Sequence, residues 1–119
     1  MIWFLKYAAG QGRLKAPILV VYEVSNAVWQ AERRGRITSA QADEIMQTVV
    51  DLDIELLPLD WGEMLPLARE YNRSAYDAAY LTLAQRVGES LVTGDKRLYN
   101  AVKGKLEWVV WMGDYRNPL

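Results

Sequence analysis

The sequence predicts a three-layer α/β/α domain whose short, mostly parallel sheet is wrapped by helices. Three observations carry that expectation. Short β-branched runs recur at wide intervals, stretches with helical spacing of apolar residues separate them, and the runs are apolar on both faces, as buried parallel strands are. At 119 residues and 13.6 kDa the chain has the size of one domain, spanning residues 1–119. Hydrophobic residues make up 51%, with five tryptophans and seven tyrosines, which is ample for a packed core.

The first strand expected is Ile18 to Tyr22 (ILVVY), opened by Pro17. Glu23 follows it, and helical spacing begins: Val24, Ala27, Val28 and Ala31 share a face that ends at Gly35. Thr38 with Gln41 three residues on is a capping-box signature, and Ile45, Val49 and Leu52 continue a second helix. Ile54 to Leu59 (IELLPL) reads as a strand, with Pro58 marking an edge or an end. Asp60 with Glu63 starts a helix that runs to about Tyr71. Ser74 caps the next one, which is apolar nearly all round from Ala75 to Val87 and so is expected to be buried. Ser90 to Thr93 (SLVT) is a third strand, broken by Gly94-Asp95, and Glu107 to Met112 (EWVVWM) is a fourth. No stretch is long and apolar enough to span a bilayer, and no leader is recognisable, so the expected location is the cytoplasm.

Composition narrows the chemistry. Cysteine and histidine are both absent, which removes disulfides, thiol nucleophiles, zinc-thiolate sites and Ser-His-Asp catalysis. The formal net charge of −1 advertises no general affinity for nucleic acid, although a site built on carboxylates is locally acidic where it works. In open α/β sheets ligands bind beyond the carboxyl ends of the strands. Glu23 after ILVVY and Asp95 after LVTG fall at such ends, and Asp77 lies in the first turn of the buried helix. Carboxylates gathered on one rim repel unless a cation intervenes, and a bound Mg²⁺ or Mn²⁺ then activates water and holds a phosphodiester without histidine. Each acid also has a purely structural reading. Asp77 completes an S-x-x-D capping box with Ser74, Asp95 caps the helix that follows it, and Glu23 complements a helix dipole. Their joint placement is what favours the metal site.

Three motifs then carry a resemblance. Ala16-Pro17 through Glu23-Val24 and Asn26-Ala27-Val28 fit A-P-x-L-x-x-x-E-V-x-N-A-[VL]; Ser74, Tyr76-Asp77-Ala78, Tyr80-Leu81 and Leu83-Ala84 fit S-x-Y-D-A-x-Y-L-x-L-A; and Leu91-Val92-Thr93, Asp95 and Arg97-Leu98 fit L-V-T-x-D-x-R-L. In this order they resemble PIN-domain ribonucleases, particularly the VapC toxins of toxin–antitoxin pairs, over roughly Tyr7 to Met112. The resemblance implies an endoribonuclease dependent on Mg²⁺ or Mn²⁺, a homodimer, and inhibition by a cognate antitoxin. It assigns Glu23, Asp77 and Asp95 as catalytic and metal-binding acids. Thr93 resembles the hydroxyl beside that site, and Asn26 takes either a supporting or a purely structural role.

The family opens with a strand ending in D-x-S or D-x-T, and no aspartate precedes Asp43 here. Residues Phe4 to Pro17 resemble the end of the helix before the family's second strand, so the first strand and first helix are missing from the pattern. That strand is central in the family, so its loss leaves two facing edges to satisfy. Ile2 to Tyr7 (IWFLKY) fills the slot, the flanking strands close up, or a partner chain supplies a strand. Weak metal binding and little or no nuclease activity are the expectation. Lys96 and Arg97 beside Asp95 are candidates for an RNA phosphate, while Arg33, Arg34 and Arg36 read as solvated charge. Trp3, Trp108 and Trp111 are the interface candidates. The competing reading is a non-catalytic remnant that binds an antitoxin. A mononucleotide-binding domain is disfavoured, because no Gly-rich phosphate loop follows any expected strand.

Overall fold

A computed structural model describes residues 5–6 and 14–114 of the chain. Among these, five strands form one sheet in the order β3-β2-β1-β4-β5: β1 Leu5–Lys6, β2 Leu14–Pro17, β3 Glu55–Leu57, β4 Ser90–Thr93 and β5 Val109–Trp111. The helices are α1 Leu19–Arg33, α2 Ser39–Asp51, α3 Trp61–Tyr71, α4 Ala75–Val87 and α5 Lys96–Val102. The α/β layering expected from the sequence is present, and no helix among the described residues is long and apolar enough to cross a membrane.

The first strand is not where the apolar run suggested. ILVVY is the start of helix α1, and the strand is the preceding Leu14–Pro17 (LKAP). A five-residue apolar run cannot be told from a buried helical turn by periodicity alone. Here Pro17 closes the strand, and the Val21 N–H returns to the Ile18 carbonyl to open the helix at 3.1 Å. The spacing Val20, Val24, Val28, Ala31 then continues unbroken, with Val20 the fully buried member. The LKAP strand is held by parallel pairing with β3, Ala16 facing Leu56 and Pro17 facing Leu57.

The centre of the sheet is filled from within the chain. Leu5 pairs with Lys15 on one side and with Leu91 on the other, and Lys6 pairs with Leu14 and Ser90. Both pairings are antiparallel, whereas the outer pairs β2–β3 and β4–β5 are parallel. Of the three ways of satisfying the central slot, the first is realised for residues 5–6; the remainder of Ile2 to Tyr7 lies outside the described residues. The segment Phe4 to Pro17 is therefore not a helix end where it is described, but contributes two strands. Lys15 of β2 and Glu89, the residue just before β4, form an ion pair at 3.7 Å with little exposure.

Helix α4 is the core of the domain. Every residue from Asp77 to Ala84 is buried, and Tyr80, Leu81 and Leu83 pack with Leu91, Leu98 and Val102 from β4 and α5. Each such side chain removed from water contributes roughly 1.5–3 kcal/mol. Gly88 ends α4 in the left-handed region at φ 71°, where a Cβ would be strained, and so turns the chain directly into β4. Thr38 and Gln41 form the reciprocal capping box expected for α2, with bonds of 2.9 and 3.1 Å.

Candidate functional site

The N-terminal end of α4 is set by a tight junction with α3. Asn72 adopts the left-handed conformation at φ 52°, and the Arg73 N–H folds back to the Ala68 carbonyl at 3.0 Å. Ser74 then caps α4, its Oγ accepting the Asp77 N–H at 3.1 Å. That is one half of the capping box read from the sequence. The Asp77 carboxylate turns to Arg73, whose Nε donates to Oδ2 at 3.1 Å, in a pair whose side chains are only 23% and 9% exposed.

One turn further along α4, Tyr80 is fully buried, and its hydroxyl donates to Oε1 of Glu23. Glu23 lies in the second turn of α1, not at a strand end as the sequence suggested. Tyr80 lies three residues along α4 from Asp77, and its hydroxyl carries the link from that helix to Glu23. Burial pushes the Tyr80 phenol well above its ordinary value, and the hydrogen bond to Glu23 adds to the shift. The phenol therefore stays protonated and keeps donating.

Asp95 follows β4, at the carboxyl end where α/β sheets place their sites. The fully buried Thr93 Oγ1 accepts the Asp95 N–H at 3.0 Å. The Asp95 carboxylate caps α5, accepting the N–H groups of Arg97 at 3.0 Å and Leu98 at 3.2 Å. Burial alone would raise its pKa; the donated backbone bonds, with Leu98 the largest of the lowering influences, hold it below the ordinary carboxylate value. Lys96 and Arg97 are exposed on the first turn of α5, beside this carboxylate in sequence.

All three acids thus lie on elements that meet around α4, since β4 packs against that helix and α1 reaches it through Tyr80. They do not assemble into a ligand set: among the described residues, no group of three or more Asp or Glu side chains could hold a metal ion. Each carboxylate has a donor supplied by the chain: Tyr80 for Glu23, Arg73 for Asp77, and the α5 backbone for Asp95. The donor set as built does not fit a divalent cation.

Asn26 is exposed on α1, three residues beyond Glu23. Arg33, Arg34 and Arg36 are exposed at the end of α1, with the Arg33 guanidinium 5.6 Å from the centre of the Trp29 ring. Trp108 and Trp111 are half-buried, Trp111 against Tyr99, and Trp3 lies outside the described residues. Among the described residues the strongly exposed tryptophans are Trp29 and Trp61, which the sequence did not single out. It also missed Arg73 as a partner of Asp77, although their spacing of four residues was there to be read. An apolar groove of about 250 Å³ lies between α1, α2 and β3, lined by Val20, Val24, Met46, Val49, Ile54 and Leu56 among others.

Comparison with known proteins agrees with the motifs. The family model described as PIN domain matches residues 2–104. Exonuclease VapC9 of Pyrobaculum aerophilum is 36% identical over 91 residues, covering 75% of this chain and 67% of that protein. Ribonuclease VapC3 of the same organism is 32% identical over 84 residues, covering 67% of this chain and 64% of its own length. The crystal structure of PAE2754 from Pyrobaculum aerophilum superposes with a TM-score of 0.66 at 31% identity, covering 81% of this chain and 64% of that one. The chain therefore spans about two-thirds of the length of the relatives it matches.

Proposed function

The chain belongs to the PIN-domain family, VapC-like within it, and on that premise we propose that it is an RNA-directed domain of the toxin type, acting in the cytoplasm with a cognate antitoxin as partner. The chemistry of this class is hydrolysis of RNA phosphodiesters with Mg²⁺ or Mn²⁺, which supplies an activated water and charge neutralisation when bound. By motif Glu23, Asp77 and Asp95 are the acids of that chemistry, although as built they form no ligand set, and Thr93 fixes the turn that carries Asp95. Lys96 and Arg97 are the phosphate contacts, and Asn26 stands at the margin. By itself the chain binds the ion weakly and cleaves RNA slowly or not at all.

The family match supports the RNA-directed reading, and the observation that carries the low activity is that each acid is already engaged by a donor within the chain. Efficient hydrolysis needs ligands held tightly in geometry for the ion, and a loosely placed set gives little rate. The test is cleavage of end-labelled RNA by the purified chain in Mg²⁺ or Mn²⁺, with chelator and Asp77→Asn controls. Little or no cleavage above the Asp77→Asn background is expected. Robust cleavage that requires the ion and Asp77 overturns the low activity.

A second reading, antitoxin binding without catalysis, is favoured by the apolar groove between α1, α2 and β3. Co-purification of the chain with a co-expressed candidate antitoxin, lost when Val24 or Val49 is made Asp, supports it. Undiminished co-purification of both variants counts against it.

A further inference from the structure

We propose that Arg73 is a built-in cation of the acidic rim, neutralising Asp77 from within and competing with a divalent ion for that carboxylate. The inference rests on the reading of Asp77 as a member of that rim. Its geometry comes from the α3–α4 junction. Asn72 in the left-handed conformation and the bond from Arg73 N–H to the Ala68 carbonyl fix the backbone just before the Ser74 cap. From there the Arg73 side chain reaches forward four residues to Asp77 Oδ2.

An exposed pair at this spacing would mean little, because water screens both charges. This pair differs, because the Asp77 side chain is only 9% exposed and its charge requires a partner. The guanidinium is the one that the fold provides. It is also permanently charged at any pH the fold survives, so no change of pH vacates the position. A divalent ion drawn to Asp77 meets a positive charge already on that carboxylate. Binding must displace the guanidinium or tolerate it as a neighbour. Removing the guanidinium leaves a nearly buried carboxylate without a resident cation, so a divalent ion that supplies the missing charge meets no competitor there.

Mn²⁺ titrations followed by electron paramagnetic resonance, with melting curves in the presence and absence of the ion, test the proposal on four forms: wild type, Arg73→Gln, Arg73→Lys and Asp77→Asn. Arg73→Gln is expected to bind Mn²⁺ about tenfold more tightly than wild type, the scale on which one adjacent full charge shifts a carboxylate equilibrium. Its Tm is expected to rise with Mn²⁺ more than that of wild type. Arg73→Lys, which keeps the charge, should behave as wild type, and Asp77→Asn should not respond. Equal or weaker Mn²⁺ binding by folded Arg73→Gln overturns the proposal, as does an equal gain in Arg73→Lys. Should Arg73→Gln be unfolded without metal, recovery of its structure by Mn²⁺ supports the proposal. Failure to recover, when the Arg73→Gln/Asp77→Asn double variant folds normally, overturns it. Tighter Mn²⁺ binding by Arg73→Gln together with robust, ion-dependent RNA cleavage by wild type leaves this inference standing and overturns the low activity proposed above. No gain in Arg73→Gln with little or no cleavage by wild type does the reverse.

Discussion

The hydroxyl of Tyr80, buried in the middle of α4, donates its hydrogen bond to the carboxylate of Glu23 on α1, a residue 57 positions earlier in the chain. It is the polar tie between the helix at the core and the helix that packs beside α2. The bond that satisfies a buried phenol also fixes the Glu23 carboxylate in place.

Tyr80→Phe removes that tie and leaves the ring's packing intact. A hydrogen bond to a charged partner contributes about 1.5–3 kcal/mol, so urea denaturation should show a loss in that range. The double variant with Glu23→Gln should lose less than the sum of the two single losses. Additive losses would mean that the two groups do not interact.

The same bond predicts a dependence on high pH. The folded-state pKa of Tyr80 lies above the ordinary 10.0, so the protonated phenol is favoured by folding. Its contribution is complete below pH 10 and is lost progressively as the pH rises above that value. The difference in urea midpoint between wild type and Tyr80→Phe should therefore narrow between pH 9 and pH 11. A difference that widens there would contradict the assignment.

Asp95 behaves in the opposite sense. Its folded-state pKa lies below the ordinary 3.8, so its contribution is present above pH 3.8 and is lost as the pH falls through the folded value. Asp95→Ala removes the cap of α5 and should cost about 0.5–2 kcal/mol at pH 7. In acid denaturation the gap between wild type and variant should close below pH 3.8.

Thr82 lies within the buried run of α4, and its hydroxyl makes no hydrogen bond. A buried hydroxyl without a partner carries its full desolvation cost, about 1–3 kcal/mol. Thr82→Val keeps the shape and removes that cost, so chemical denaturation should show a stability equal to wild type or up to about 2 kcal/mol higher. A marked loss would reveal a partner for the hydroxyl.

Much of this fold was legible where local signals and tertiary demands agree. The Thr38–Gln41 box, the Asp60 and Ser74 caps, the all-round apolar α4 and the SLVT strand each follow from residues within one or two turns. ILVVY failed because its five apolar residues suit a strand and a buried helical turn equally. The decision was made by β3, whose parallel pairing draws LKAP into the sheet. The two-residue β1 carries no local strand signal that would fix its direction, and its antiparallel register comes from the edges of β2 and β4. Motif order singled out the acids, while the partners they have in the fold were not legible. Arg73 reaches Asp77 across a helix cap, and Tyr80 reaches Glu23 across the fold; neither contact is implied by the identity of the acid alone.

The engagement of Glu23, Asp77 and Asp95 by donors from the chain is most directly examined by titrating the wild-type protein into Mn²⁺ and following the resonance of the free ion. The expected result is that the free-ion signal persists when protein and metal are present in equal amounts. Stoichiometric loss of that signal, abolished in Asp77→Asn, would contradict it and would mean that the three acids open readily to hold a cation.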